Sequence, residues 1–416
     1  MKSSIPSYLN KNTLYEPLIL DKPNPDLSLV IVIPSYKEDY LFQALESLLL
    51  CVRPDASIEI IPVLNYPESK AIHNDEFHQK QYNQLLAFAA KHNTPQFQIK
   101  PIPPIAIKGK HAGVGHARKI GMDEAVRRFF NIGNRAGVIL NFDADCTCHE
   151  EYLEQVYSYF NQANPKSAVS IDFEHQFELL SGLARRAIVT YELHLRYYIA
   201  AQKFIHYPFA FQTLGSCFAV RAEAYCLQGG MNQRQAGEDF YFLHKYSLLN
   251  ELAEIKRVLV YPSARSSDRV PFGTGKAVIE FFDTQFQWSY SLDAILLFQK
   301  LMRWIKQNIE LPYEEWSKGL EQLSPMLAAF FIDQGIVSAF QSFKSNTASS
   351  AQCSKKMIQW LSPFRLMKWL HYARTKGYPD IPVCDAVNQL MELMDPQFEY
   401  SNDEEHLLKK MREYFL

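Results

Sequence analysis

Ala136-Gly137-Val138-Ile139-Leu140-Asn141-Phe142-Asp143-Ala144-Asp145 decides how the chain is read. The segment up to Phe142 is short, apolar and β-prone, which predicts a buried strand. Side chains two apart on an extended chain share a side, so Asp143 and Asp145 would stand together at the strand's carboxyl end. Open α/β sheets bind ligands at that edge. Adjacent carboxylates repel one another unless a positive charge lies between them, and a divalent cation carrying a phosphorylated ligand fits. Two solvated turn acids are the competing reading, so the flanking segments must decide.

Working outward, Leu29-Val30-Ile31-Val32-Ile33 reads as a first strand, closed by Pro34-Ser35-Tyr36-Lys37-Glu38 and followed by a helix from about Asp39. Ile58 to Leu64 is a second strand, Phe77 to Lys91 a helix, and Pro101, Pro103 and Pro104 mark a linker. Lys108 to Gly115 is a glycine-rich basic turn opening a helix from His116 to Phe130, with Ala117, Gly121, Ala125 and Phe129 in one row. After Asp145, a helix near Glu150 to Asn161 and a strand at Ala168 to Phe173 continue the alternation. That alternation predicts an α/β fold: a doubly wound, mostly parallel sheet flanked by helices. Residues 1–26, where Pro17, Pro23 and Pro25 oppose regular structure, read as an N-terminal arm, 27–275 as the α/β domain, and 276–416 as a helical C-terminal region. No internal repeat is visible.

The chain has 416 residues, enough for a large core. A net charge of −2 gives no basis for a broad nucleic-acid surface. Seven cysteines in a chain this long point to a reducing compartment rather than a disulfide framework. The start, MKSSIPSYLNKN, has no signal-like apolar stretch. No apolar run reaches the roughly 18 residues a spanning helix needs. The nearest candidate, Phe204 to Val220, is broken by His206, Pro208, Gln212 and Gly215. The expected location is the cytoplasm, with contact at the inner membrane face left open.

Several further segments carry chemistry. In the loop Pro34 to Glu38, Tyr36 offers a ring for stacking on a base and Glu38 a polar contact. Backbone N–H groups at the start of the helix near Gly115, with Arg118 and Lys119, suit a diphosphate. The spacing matches neither a P-loop nor a dinucleotide fingerprint. Glu238-Asp239 stands at a predicted helix start, where acids serve either as caps or as a general base toward an acceptor hydroxyl. Arg265, Arg269 and Lys276, with Gly273 and Gly275, read as a flap reaching a phosphate or as a flexible linker. Cys146, Cys148 and His149 lack a fourth ligand for zinc at any recognisable spacing.

Taken in order, VIPSYKE (32–38), GVGHARKIG (113–121), NFDADC (141–146), GSCFAVRAEAY with GG (215–230) and GEDF (237–240) resemble the inverting family 2 glycosyltransferases of the GT-A fold. The resemblance covers about residues 27–270. It implies that Asp143 and Asp145 hold Mn²⁺ or Mg²⁺ and contact a nucleotide-diphosphate sugar, UDP- or GDP-linked, with Asp145 the more direct ligand. It implies Asp239 as the base, with Glu238 next to it. A later histidine completes the metal shell in some metal-dependent transferases, and His244 is the candidate here. The acceptor would be a carbohydrate or lipid-linked hydroxyl. Where many members carry an aspartate that reads the base, this chain has Asn65. The Gln285-Phe286-Gln287-Trp288 stretch does not match the Q-x-x-R-W of the processive synthases.

Two other readings stay open. A sugar nucleotidyltransferase would want a glycine-rich, arginine-containing loop after the first strand, where this chain has Pro34-Ser35-Tyr36. A non-catalytic nucleotide-sugar-binding module on the same fold would not need both acidic pairs.

Overall fold

The computed structural model describes residues 3–109, 112–234, 237–265 and 273–415, with only the backbone described for 70–74. The chain divides into two compact units, Met1–Leu180 with Phe211–Ile279, and Ser181–Ala210 with Glu280–Leu416.

The first unit is built on a nine-stranded sheet. Its strands are β1 (Leu27–Ser35), β2 (Ser57–Pro67), β3 (Phe97–Ile99), β4 (Ile102–Ile107), β5 (Val138–Asn141), β6 (Thr147–Cys148), β7 (Ala168–Phe173), β8 (Phe218–Arg221) and β9 (Leu252–Tyr261). They lie in the order β3-β2-β1-β5-β8-β7-β9-β6, with β4 paired to β2. β1 runs parallel to both β2 and β5, and β7 parallel to β9. β8 is antiparallel to β5 and β7, as β6 is to β9. The architecture is therefore α/β with a mostly parallel sheet flanked by helices, as expected. β1 is buried almost throughout, the pattern of a strand covered on both faces.

The helices of this unit are α1 (Ile5–Lys11), α2 (Leu41–Leu49), α3 (Ala71–His92), α4 (Val114–Asn131) and α5 (Tyr152–Asn161), then, beyond α6 of the second unit, α7 (Ala222–Leu227) and α8 (Glu238–Leu248), while α9 (Thr274–Thr284) is divided between the two units after Ile279. The row Ala117, Gly121, Ala125 and Phe129 of α4 is fully buried or nearly so, and Gly121 packs on Val32 of β1 and Val63 of β2.

Two local expectations are corrected. The proline-rich stretch is no linker: Pro103 and Pro104 lie inside β4, which among the described residues pairs with β2 alone. A strand bonded on one side needs few of its N–H groups, so proline is tolerated there. The N-terminal arm is not free of regular structure. Pro6 sits in the first turn of α1, where its missing N–H costs nothing. Ile5 and Tyr8 then enter the core formed with α4 and α7. Further on, the Leu18 and Ile19 N–H groups donate to the Glu124 carboxylate (3.2 and 3.1 Å).

The second unit is helical: α6 (Gly182–Phe204), α10 (Leu292–Gln307), α11 (Tyr313–Leu323), α12 (Pro325–Asp333), α13 (Ile336–Ser345), α14 (Ser350–Trp360), α15 (Pro363–Ala373), α16 (Val383–Met394) and α17 (Glu404–Phe415). It also has a short ladder of β10 (Trp288–Ser289) with β11 (Ile381–Pro382). α6 falls within the stretch 27–275 expected to form one domain, yet it groups with the C-terminal helices because its charges are matched there. Its buried Glu192 takes Arg196 Nε (2.8 Å) and a bidentate Arg412 of α17 (2.8 and 2.9 Å). Arg185 and Arg186 of α6 pair with Glu405 and Glu404. No single helix among the described residues is long and apolar enough to cross a membrane.

Candidate active site

β5 stops at Asn141, sooner than its apolar run suggests. The Phe142 N–H still donates to Val32 of β1 (3.1 Å), and then the chain turns, with Cys146 N–H donating to the Asp143 carbonyl (3.1 Å). Aspartate is favoured at the first position of such a turn. Asp143 and Asp145 therefore sit at the carboxyl edge of the sheet on a turn, not on an extended strand. They engage different cations.

Asp143 meets Arg118 of α4, whose guanidinium also ion-pairs with Glu238 at the start of α8. Arg118 and Glu238 are nearly inaccessible (3% and 2%), whereas the Asp143 carboxylate is 32% exposed. Two glycines make this possible. A Cβ at Gly115 would come within 2.6 Å of the Asn232 and Arg234 carbonyl oxygens, so glycine lets the start of α4 approach the segment before α8. A Cβ at Gly215 would run into the Arg118 guanidinium itself. Gly237, just before α8, has φ 71°, the left-handed region glycine enters without strain.

Asp239 is half-buried in the first turn of α8 and accepts from the Phe240 N–H (2.7 Å). Burial raises its carboxyl above the ordinary 3.8, the Arg118 charge pulls the other way, and the nearby Asp143 charge adds to the rise.

A second arginine serves the other acids. Arg265, just beyond β9, ion-pairs with Glu38 and reaches Asp145 Oδ2 (3.1 Å). Its guanidinium lies over the Tyr40 ring, 4.9 Å from the centroid. Lys37, at φ 48°, turns the chain after β1, and the Gln81 amide of α3 holds the Glu38 carbonyl (2.7 Å).

The remaining candidates fall as follows. Pro34 is buried within β1, opposite Val63. Tyr36 is half-buried and stacks on His78 (5.9 Å, 23°), which stacks on Tyr66 (5.2 Å, 11°). Burial, and then the Lys37 charge, lowers His78 to about 4. Nothing local in the sequence marked His78, which reaches Tyr36 from another element. Asn65 is buried inside β2, opposite Ile105 of β4. Lys119 is not available to a phosphate: it is 5% exposed and pairs with Asp123 (3.0 Å). His244 does not join the aspartates. It is buried edge-on against Phe240 (4.0 Å), and burial lowers it to about 3. Among the described residues, no three His, Cys, Asp or Glu converge as a metal site. Arg269 lies outside the described residues, and Lys276 lies in the first turn of α9.

No protein-family model matches the chain, and no curated protein matches it. Among solved structures it is similar to S. aureus TarS residues 1–349 in complex with UDP-GlcNAc, at 12% identity and a TM-score of 0.41, covering 82% of this chain and 92% of that one. It is also similar to the mannosyltransferase PcManGT from Pyrobaculum calidifontis in complex with GDP-Man and Mn²⁺, at 11% identity and a TM-score of 0.35, covering 99% of this chain and 90% of that one. Likenesses this distant carry no argument about what this chain binds.

Proposed function

We propose that the protein is an inverting glycosyltransferase of the GT-A type, related to family 2. It moves a sugar from a UDP- or GDP-linked donor to a hydroxyl of a carbohydrate or lipid-linked acceptor. The observation that carries this reading is Arg118. One buried guanidinium at the carboxyl edge of the sheet ion-pairs with two carboxylates from separate motifs, Asp143 and Glu238, and its charge acts on a third, Asp239. A structural ion pair needs one partner. Excess acid kept at a sheet edge where α/β proteins bind ligands suits a cationic complex and proton transfer.

Mn²⁺ or Mg²⁺ suits the residues present. Asp143 and Asp145 offer hard oxygen ligands that are partly open, at 32% and 26% exposure. Such cations are held by one or two carboxylates with phosphate and water completing the shell. Bound there, the cation would neutralise charge on the departing nucleoside diphosphate. The chain's own residues do the rest. Arg118 fixes the first turn of α8 against the end of β5. Asp239, made more basic by burial, takes the acceptor hydroxyl proton as that oxygen bonds to the anomeric carbon. The bond from that carbon to the diphosphate breaks on the opposite face, with its electron pair leaving on the phosphate oxygen. A single displacement inverts the configuration.

The test is a panel of UDP- and GDP-sugars incubated with the protein, with Mn²⁺ and with EDTA, following release of nucleoside diphosphate. One donor should be consumed in a metal-dependent way, and its product should carry the inverted anomer by NMR. A panel in which no donor is bound or consumed under either condition would sink the proposal.

A further inference from the structure

We propose that Cys51 and Cys148 form a redox pair that closes to a disulfide under peroxide and weakens nucleotide binding at the neighbouring site. The second half of this inference rests on the donor reading above. The two sulfurs lie 3.5 Å apart, already in contact across elements distant in sequence. A disulfide needs about 2.05 Å, so closure asks for a movement of about 1.5 Å. Cys51 is buried just beyond the end of α2, while Cys148, the last residue of β6, is half-buried.

The placement gives the bond a consequence. α2 starts shortly after Glu38, and β6 starts shortly after Asp145. β6 pairs with the end of β9, Thr147 opposite Tyr261 and Cys148 opposite Val260, and β9 leads directly to Arg265. The three groups joined by the Arg265 bridge thus hang on the elements that the new bond would draw together. The contact also primes the chemistry. The hydrogen bond from Cys148 holds the Cys51 thiol below its ordinary range, and the same bond pushes Cys148 up.

Hydrogen peroxide oxidises Cys51, the thiol held below its ordinary range, to a sulfenic acid, releasing one water. The Cys148 sulfur then attacks that sulfur. The hydroxide displaced takes the Cys148 proton and leaves as a second water. Two thiols and one peroxide give one disulfide and two waters, and a dithiol reductant reverses the bond by exchange.

The experiment treats the full chain with peroxide, maps peptides under non-reducing conditions, and measures UDP and GDP affinity with Mn²⁺ by calorimetry before oxidation, after it, and after dithiothreitol. A peptide linked through Cys51 and Cys148 is expected, with affinity about tenfold weaker and restored by the reductant. Cys148→Ser, and Cys51→Ala should that variant fold poorly, are expected to bind as the reduced protein does and to ignore peroxide. Oxidation without the linked peptide, or a linked protein with unchanged affinity, overturns the proposal. If the reduced protein binds neither nucleotide, the donor reading fails, and the linked peptide together with a shifted melting temperature still decides the thiol pair on its own.

Discussion

Arg118 and Lys119 are consecutive residues of α4, both buried, and their surroundings differ in kind. Lys119 donates to the Tyr8 hydroxyl (2.7 Å) and pairs with Asp123 (3.0 Å). Asp123 in turn accepts from the hydroxyls of Tyr8 (2.7 Å) and Tyr225 (2.8 Å). One cation meets one carboxylate, and phenols supply the further hydrogen bonds. Such a unit is closed: it ties α1 and α7 to α4 and has nothing left for a ligand. Arg118 meets Asp143 and Glu238 directly and feels Asp239, so acid exceeds base around it. Buried charge alone does not mark a site. The balance of charge within the cluster does.

The largest test of this contrast is Asp239→Asn. The amide keeps the shape and loses the basicity. Turnover should fall by about 10²–10⁴-fold while donor affinity stays near that of the parent protein. Turnover left intact would remove Asp239 from the mechanism and make Glu238 the next candidate base. Lys119→Met probes the other side. Leaving Asp123 without its cation should cost roughly 3–5 kcal/mol of stability, the scale for one broken partner of a buried pair. Nucleotide affinity at a temperature where the variant is folded should stay the same. The reverse result, lost affinity with an unchanged melting temperature, would erase the distinction between the two clusters.

Asp145→Ala comes next. If Asp145 helps hold the cation, UDP or GDP affinity in Mn²⁺ should weaken at least about tenfold, toward the value measured in EDTA. Calorimetry of the parent protein giving equal affinity in Mn²⁺ and EDTA would take the metal out of the site.

The sequence made one half of this contrast legible and concealed the other. β1 and β5 were readable because a strand covered on both faces is a continuous apolar run, and Asp143 follows from where that run ends. Glu238-Asp239 was readable because a glycine and two acids mark a helix start. Lys119 read as a phosphate contact because Tyr8, which takes its hydrogen bond beside the nearby Asp123, lies far away along the chain. The Arg265 bridge was hidden for a related reason, since its Glu38 partner sits after the first strand. Prolines at 103 and 104 pointed away from a strand because local sequence does not say which strand will be bonded on one side only. β9 went unrecognised although Leu252, Ile255, Val258 and Val260 are spaced through it, because Glu254, Lys256 and Arg257 interrupt the apolar run. Local pattern locates elements and their ends. Which buried charge faces which is settled by contacts between distant segments.

The smallest expected effect separates site from scaffold within α8 itself. Asp239 opens this helix, and His244 follows one turn later, buried against Phe240 and brought down by burial from 6.5 to about 3. The imidazole is neutral in the fold, whereas the unfolded chain takes up a proton below 6.5. The stability this group contributes is therefore fully present above 6.5 and is lost as the pH falls toward the folded value. One unit below 6.5 the loss is about 1.4 kcal/mol. His244→Phe removes the titration while keeping a ring in the core, so melting temperature should fall less steeply with acid than in the parent. His78 and His194, both lowered to about 4, act with the same sign, so the slope shrinks without vanishing. Metal-dependent nucleotide binding should not change. A variant with the parent's slope and a lost response to Mn²⁺ would put His244 back among the metal ligands and move it to the Arg118 side of the comparison.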